Sequence, residues 1–295
     1  MELQRDHGAA VQSAGYRQRF VDAELISHLA AAGAVLVEGP RACGKTETAR
    51  QAARSEVRLD VDEQARAVGL LDPRILLEGD KPRLIDEWQL VPALWNHVRR
   101  DVDDHPASPG RFILTGSAVP SDDVTRHSGA LRISRLRMRP MSLTETGHST
   151  GEVSLAALFA GEQPQATASE LTIRDIAERI VVGGWPRLLE STPDEGRRAL
   201  RDYLTDTRRI DLVRLDGVRR DPENVGRVIR SLARNVATPV SSRSIAADLS
   251  GPSDAIKDQT VRDYLQALTR VFILDDLPAW SPALRSRSIL RLSPI

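Results

Sequence analysis

The sequence predicts an α/β fold: a parallel sheet with helices on both faces, followed along the chain by a mainly α second part. Three observations predict it. Between residues 17 and 138, short continuous apolar runs alternate with stretches of helical spacing, as strands joined by helical crossovers require. A glycine-bearing loop stands directly between one apolar run and the next helical stretch. Beyond residue 172 helical periodicity takes over almost throughout.

The elements follow in chain order. Residues 1–15 are small and polar and are expected to be loose. Phe20, Val21, Leu25, Ile26 and Leu29 share one helical face over 17–32, with Gly33 as the stop. Val35-Leu36-Val37 is apolar without interruption, as a strand buried on both faces would be. A helix is expected from Lys45 to about Arg54, then a strand over 57–60, and helices over 62–78 broken at Asp72-Pro73. Residues 83–87 read as a strand ending in acids, 92–104 as a helix, 111–117 as a strand, and 131–138 as a strand alternating arginines with Ile133, Leu136 and Met138. Residues 146–171 shift to Gly, Ser, Thr, Ala and Gln, with one short helix at 155–159. This predicts a domain over 16–147, a linker over 148–172 and a second domain over 173–295. Helices are expected at 173–182, 194–214, 221–236, 243–250 and 258–270, and β-like runs at 271–274 and 288–292.

Composition narrows the classes. The 295 residues suffice for one α/β domain of ~150–200 residues and a smaller unit. A net charge of zero supplies no overall field to draw the chain to nucleic acid or a membrane surface. Cys43 is the single cysteine, so an intrachain disulfide and a multi-cysteine metal site are both excluded, in keeping with a reducing, cytoplasmic compartment. The N-terminus has no apolar signal region, and no segment approaches ~20 uninterrupted apolar residues, so no membrane span is expected. Lysine stands only at 45, 81 and 257 among many arginines, which gives weight to the one in the glycine loop.

That loop, Gly39-Pro40-Arg41-Ala42-Cys43-Gly44-Lys45-Thr46, fits the phosphate-binding pattern G-x-x-x-x-G-K-[ST] at every position. Its glycines let the backbone wrap a phosphate with N–H groups inward, and the helix opening at Lys45 points its positive end at the same anion. Lys45 is expected on the β- and γ-phosphates and Thr46 on Mg²⁺. Leu84-Ile85-Asp86-Glu87 is a hydrophobic strand ending in acids: Asp86 would hold the metal and Glu87 would act as general base on water. Phe112 to Ser117 places Thr115 and Ser117 at a strand's carboxyl end, where ligands sit in such sheets; either would sense the γ-phosphate or orient water. Charge developing on the transferred group calls for a cation, in cis or from a neighbouring chain, and Arg126, Arg132 and Arg135 lie beyond that strand. Cys43 is a small filler of the loop or, on a sharper reading, a thiol whose modification blocks nucleotide. The expected ligands are thus ATP and magnesium.

Five segments carry a family resemblance in order: GPRACGKTETA, LIDEWQLVPALWNHVRRDVD, RFILTGSA, SGALRISRLRMRPMSLTE and VVGGWP. Over roughly 16–293 the chain resembles the prokaryotic AAA-type, AAA+-like P-loop ATPases that carry a C-terminal domain of unknown function. The resemblance implies a winged-helix-like part after the ATPase domain and, usually, a nuclease-like fold after that. It assigns Gly39, Gly44, Lys45 and Thr46 to the nucleotide loop, Asp86, Glu87 and Gln89 to Walker B, and Thr115, Gly116 and Ser117 to the sensor strand. It assigns Arg132 to the family's arginine, and Gly183, Gly184 and Pro186 to the turn opening the second domain. Leu131 departs from the family's glycine. The sequence ends at Ile295 where family members usually continue, so the last domain is expected to be truncated.

The order of residues 243–274 resembles a winged helix-turn-helix whose second helix would expose Gln259, Thr260, Arg262 and Asp263. The acids Asp258 and Asp263 of that helix suit phosphate poorly, which favours a protein-interaction or structural role over DNA. The functional expectation is a Mg-dependent ATPase whose nucleotide state controls the second domain, with a homo-oligomer or protein partner open. The alternative is a nucleotide-dependent DNA or protein switch with little turnover.

Overall fold

The computed structural model describes residues 15–116, 129–166, 168–236, 238–250, 256–278 and 290–294. Ser117 and Arg126, the break at Gly251-Pro252-Ser253 and most of the expected loose N-terminus lie outside them. The chain divides into two compact units, residues 1–116 with 123–200, and residues 117–122 with 201–295.

In the first unit five parallel strands, β1 (Ala34–Glu38), β2 (Ser55–Arg58), β3 (Arg83–Asp86), β4 (Phe112–Gly116) and β5 (Ile133–Arg137), lie in the order β2-β3-β4-β1-β5. Helix α1 (Phe20–Ala31) precedes β1, and the crossovers are α2 (Lys45–Ala52), α3 (Glu63–Leu71) and α4 (Leu94–Asp104). The period of two along each strand sorts its side chains to opposite faces. Ala34 and Leu36 join Ile85, Phe112 and Leu114 against Trp95 and Val98 of α4. Val35 and Val37 join Leu84 and Ile113 against Leu25 and Leu29 of α1 and Ala49 of α2. Uninterrupted apolar runs are what a sheet covered on both faces demands.

Some boundaries differ from expectation for local reasons. Asp72 caps Arg74 and opens a 3₁₀ turn over Pro73–Leu77, so the 62–78 stretch holds one α-helix and one tight turn. Helix α1 ends at Ala31, before Gly33; that glycine serves packing, since a Cβ on it would lie 2.3 Å from Val102 Cγ1 of α4. Strand β3 stops at Asp86 because Glu87 turns to φ 54°.

The first unit continues through α5 (Leu155–Phe159), α6 (Ile173–Val182) and the start of α7 (Pro193–Asp206). Its limit at Leu200 falls later than the 172/173 boundary read from composition. Backbone contact explains the difference. The Met141 N–H donates to the Gly184 carbonyl at 2.7 Å, and a Cβ on Gly184 would lie 2.0 Å from the Met141 oxygen. The glycine turn is therefore pressed against the segment leaving β5.

In the second unit a π-helical turn (Thr207–Asp211) leads to α8 (Leu212–Asp216), α9 (Pro222–Arg234), α10 (Ser242–Leu249) and α11 (Asp258–Arg270). An antiparallel pair follows, β6 (Leu274–Pro278) with β7 (Leu290–Pro294). Val225, Val228, Leu232, Ile245, Leu249, Val261, Leu265 and Leu268 build a separate core. The expected strand at 271–274 starts only at Leu274, because Phe272 turns to φ 61° and Ile273 caps the end of α11.

Candidate nucleotide-binding site

Parallel strands carry their loops to one end of the sheet, and this end gathers most of the predicted residues. The loop after β1 needs its special residues for stated reasons. A Cβ on Gly39 would fall 2.2 Å from the Met138 carbonyl oxygen. Gly44 caps α2 in the left-handed region at φ 102°. Ala42 shares that region at φ 61°. Arg41 and Ala42 face solvent, whereas Pro40 and Cys43 are buried.

Lys45 is 7% exposed, and its Nζ donates to the carbonyls of Gly39 and Pro40 at 2.9 and 2.8 Å. Burial lowers its pKa, opposed by the charges of Cys43, Glu87 and Asp86. Thr46 Oγ1 donates to Asp86 at 3.0 and 3.1 Å, tying the loop to the end of β3. Asp86 is 4% exposed and also accepts from the Thr115 hydroxyl on β4. Thr115 thus stands against Asp86 at the carboxyl end of β4, beside the residues expected to meet the metal and the phosphates. Glu87 accepts from Gln89 Nε2, and burial raises its pKa, with Lys45 opposing and Asp86 adding to the rise. Gly116 gives Gln89 room: a Cβ there would meet Gln89 Oε1 at 2.7 Å.

Arg132 stands apart. It precedes β5, and Ala34 at the start of β1 donates to its carbonyl. It therefore lies at the amino end of the sheet, about 15 Å along the strands from the phosphate loop. Its guanidinium is ion-paired to Asp103 at 2.6 Å. At that end it is out of reach of its own chain's phosphate loop, so of the two sources expected for a finger arginine, the same chain or a neighbour, it does not fit the first. Arg135 pairs with Glu38 at 3.0 Å.

Beside the loop, on the α2 side, lies a cavity of about 340 Å³ lined by Tyr16, Gly44, Thr48, Met141, Pro186 and Leu189. The Tyr16 hydroxyl donates to Asp22 at 2.6 Å and lies 2.9 Å from Thr48 Oγ1, which fixes the ring. Sequence reading missed these walls. The Gly-Gly-x-Pro turn was their one visible signal, and it points here only once Pro186 is seen 3.6 Å from the Cβ position of Gly44.

An oxygen-ligated cation fits the residues present. The Thr46 hydroxyl and Asp86 carboxylate are adjacent hard donors, and the phosphates of a nucleotide would supply others. Among the described residues no group of three or more His, Cys, Asp or Glu side chains would hold a metal by itself. Nor is any described helix long and apolar enough to cross a membrane.

Comparison with known proteins bears on the family and the fold. Residues 31–147 match the AAA domain family, and residues 173–294 match a domain of unknown function. Uncharacterized proteins of Mycobacterium tuberculosis and Mycobacterium bovis are each 31% identical over 272 residues, covering 89% of this chain and 54% of theirs. The chain thus spans about half the length of the curated relatives it matches. A Walker-type ATPase of Pyrococcus abyssi shares the fold at 13% identity, with a TM-score of 0.53 over 92% of this chain and 94% of that one. Residues 31–147 thus form an AAA-type domain with a P-loop NTPase fold, joined in one chain to a domain of a family without assigned function.

Proposed function

We propose that the first unit binds Mg·ATP and hydrolyses it. The observation that carries this reading is the Thr46–Asp86 hydrogen bond, which brings the cation-binding ends of two separate motifs together beside Lys45 and Glu87. Magnesium, held by Thr46 and Asp86, would neutralise charge on the β- and γ-phosphates. Lys45 exchanges its loop carbonyls for phosphate oxygens, and Thr115 keeps Asp86 oriented. Glu87, made more basic than an ordinary carboxylate by burial, accepts a proton from the attacking water. The cavity beside Gly44, with Tyr16, Met141, Pro186 and Leu189 as walls, suits a flat base.

Lys45→Ala is expected to abolish ATP binding, and Glu87→Gln to keep binding and lose turnover. Titration with a fluorescent ATP analogue and a phosphate-release assay read the two separately. Hydrolysis by Lys45→Ala at the wild-type rate would sink the reading.

The nucleotide state is proposed to act on the second unit. Its run of α9, α10, α11 and an antiparallel hairpin is the order of a winged helix. The exposed face of α11 favours a protein partner over DNA. Arg262 is paired with Asp258 on that helix, and Gln259 donates to Asp263, so little positive charge is left for phosphate. A salt-dependent gel shift that responds to ATP would instead support the DNA-switch reading.

A further inference from the structure

We propose that Arg19 is a positioning residue of the phosphate loop, which it acts on through the Cys43 carbonyl; the inference rests on the nucleotide reading above. Arg19 precedes α1, far from the loop in sequence, and its side chain is 4% exposed. Its three guanidinium nitrogens each have a different acceptor. Nη1 donates to the Cys43 carbonyl at 3.0 Å, Nη2 to the Arg139 carbonyl at 2.8 Å, and Nε to Glu145 Oε1 at 3.0 Å. The carboxylate of Glu145 is 8% exposed and fixed in turn by the N–H groups of Phe20 and Ser142, each at 2.8 Å.

The peptide plane gives this contact its meaning. In a trans peptide the carbonyl oxygen and the following N–H point in opposite directions. With the Cys43 oxygen held by Arg19, the Gly44 N–H is turned away from Arg19, toward the side of the loop where Lys45 and Thr46 work. Gly44 sits at φ 102°, where its own backbone has little preference to hold that orientation. A planar fork with fixed donors supplies what glycine lacks, and a lysine ammonium cannot span the same three acceptors. The fork also ties the loop to residues 139–145, where Met141 meets the Gly184 turn. Arg19 also lines the cavity beside Gly44, but its hydrogen bonds named above go to protein acceptors, and it acts on the loop through the Cys43 carbonyl.

The test compares wild type, Arg19→Met and Arg19→Lys in competition titrations with Mg·ATP, Mg·ADP and AMP. Loss of one oriented donor to a phosphate predicts about tenfold or greater weakening for ATP and ADP in Arg19→Met. AMP should weaken less than either, because it lacks the β- and γ-phosphates that the loop serves even though Arg19 also lines the base cavity, and Arg19→Lys should fall between. Equal weakening of all three ligands would mean general loosening and would overturn the proposal. So would ATP affinity within twofold of wild type. If Arg19→Met does not fold, Arg19→Lys, which keeps the charge beside Glu145, decides by the same readings. A wild type that binds no Mg·ATP would instead defeat the nucleotide reading itself.

Discussion

Glu87 closes β3 at φ 54°, a backbone region that costs an L-residue roughly 1–2 kcal/mol. Strain of this kind, held by Trp88 packed behind it, turns the carboxylate out of the strand beside Lys45. Its raised pKa has two consequences of opposite sign. Below the ordinary glutamate value the folded and unfolded forms are both protonated, and the stability contributed by this group is complete. It is lost as pH rises through the higher folded-state value. Activity runs the other way, since a general base must be ionised. The acid limb of kcat should therefore lie above the usual glutamate pKa and be absent from the residual turnover of Glu87→Gln, as a pH–rate profile would show. At this scale the loop and the acids that end β3 were legible in sequence, because both motifs are local. Arg19 and Glu145 were not. Arg19 and Glu145 are 126 residues apart, and no periodicity records a contact of that range.

Elements were legible where their signal was periodic and short-ranged. The strands and helices of the first unit follow the alternation of apolar run and helical spacing, and α11 spans the predicted 258–270. The departures come from backbone geometry. Two positions make this testable. Gly184 lies against Met141 with no space for a side chain, so Gly184→Ala should destabilise the first unit by about 2 kcal/mol or more in urea unfolding. It should also weaken ATP by displacing Pro186 from the cavity. Leu131 presents the contrary case. It is wholly exposed and left-handed at φ 65°, where the resemblance places a glycine. Truncation there removes no packing, so Leu131→Gly should stabilise the protein by about 0.5–1 kcal/mol. A fall in urea midpoint would mean that the exposed side chain has packing the structure does not show.

The molecule as a whole has two units with their own cores, and their division by contact falls later in the chain than the boundary read from composition. Residues 146–171 look like a linker because they are polar, yet a later segment returns through the Gly184 turn to complete the wall beside the phosphate loop. Only three-dimensional closure reveals such a return. Leu268 is fully buried in the second core, so Leu268→Ala should cost that unit about 2–5 kcal/mol. Affinity for Mg·ATP, measured by titration, should remain at the wild-type value. Mg·ATP at about 100 times its Kd should in turn stabilise the first unit by about 2.7 kcal/mol in a thermal scan.

Cys43, the chain's single cysteine, is wholly buried in the phosphate loop, and burial raises its thiol pKa, against the charges of Lys45 and Arg19. Both properties make it inert in the closed loop, since only an accessible thiolate reacts quickly. The residue is therefore a built-in clock. Each alkylation event records one opening of the loop, so the labelling rate divided by that of a free thiol gives the fraction of time spent open. A ligand that grips the loop should slow the clock in proportion to its occupancy, making this one sulfur a spectroscopically silent but chemically countable gauge of nucleotide binding.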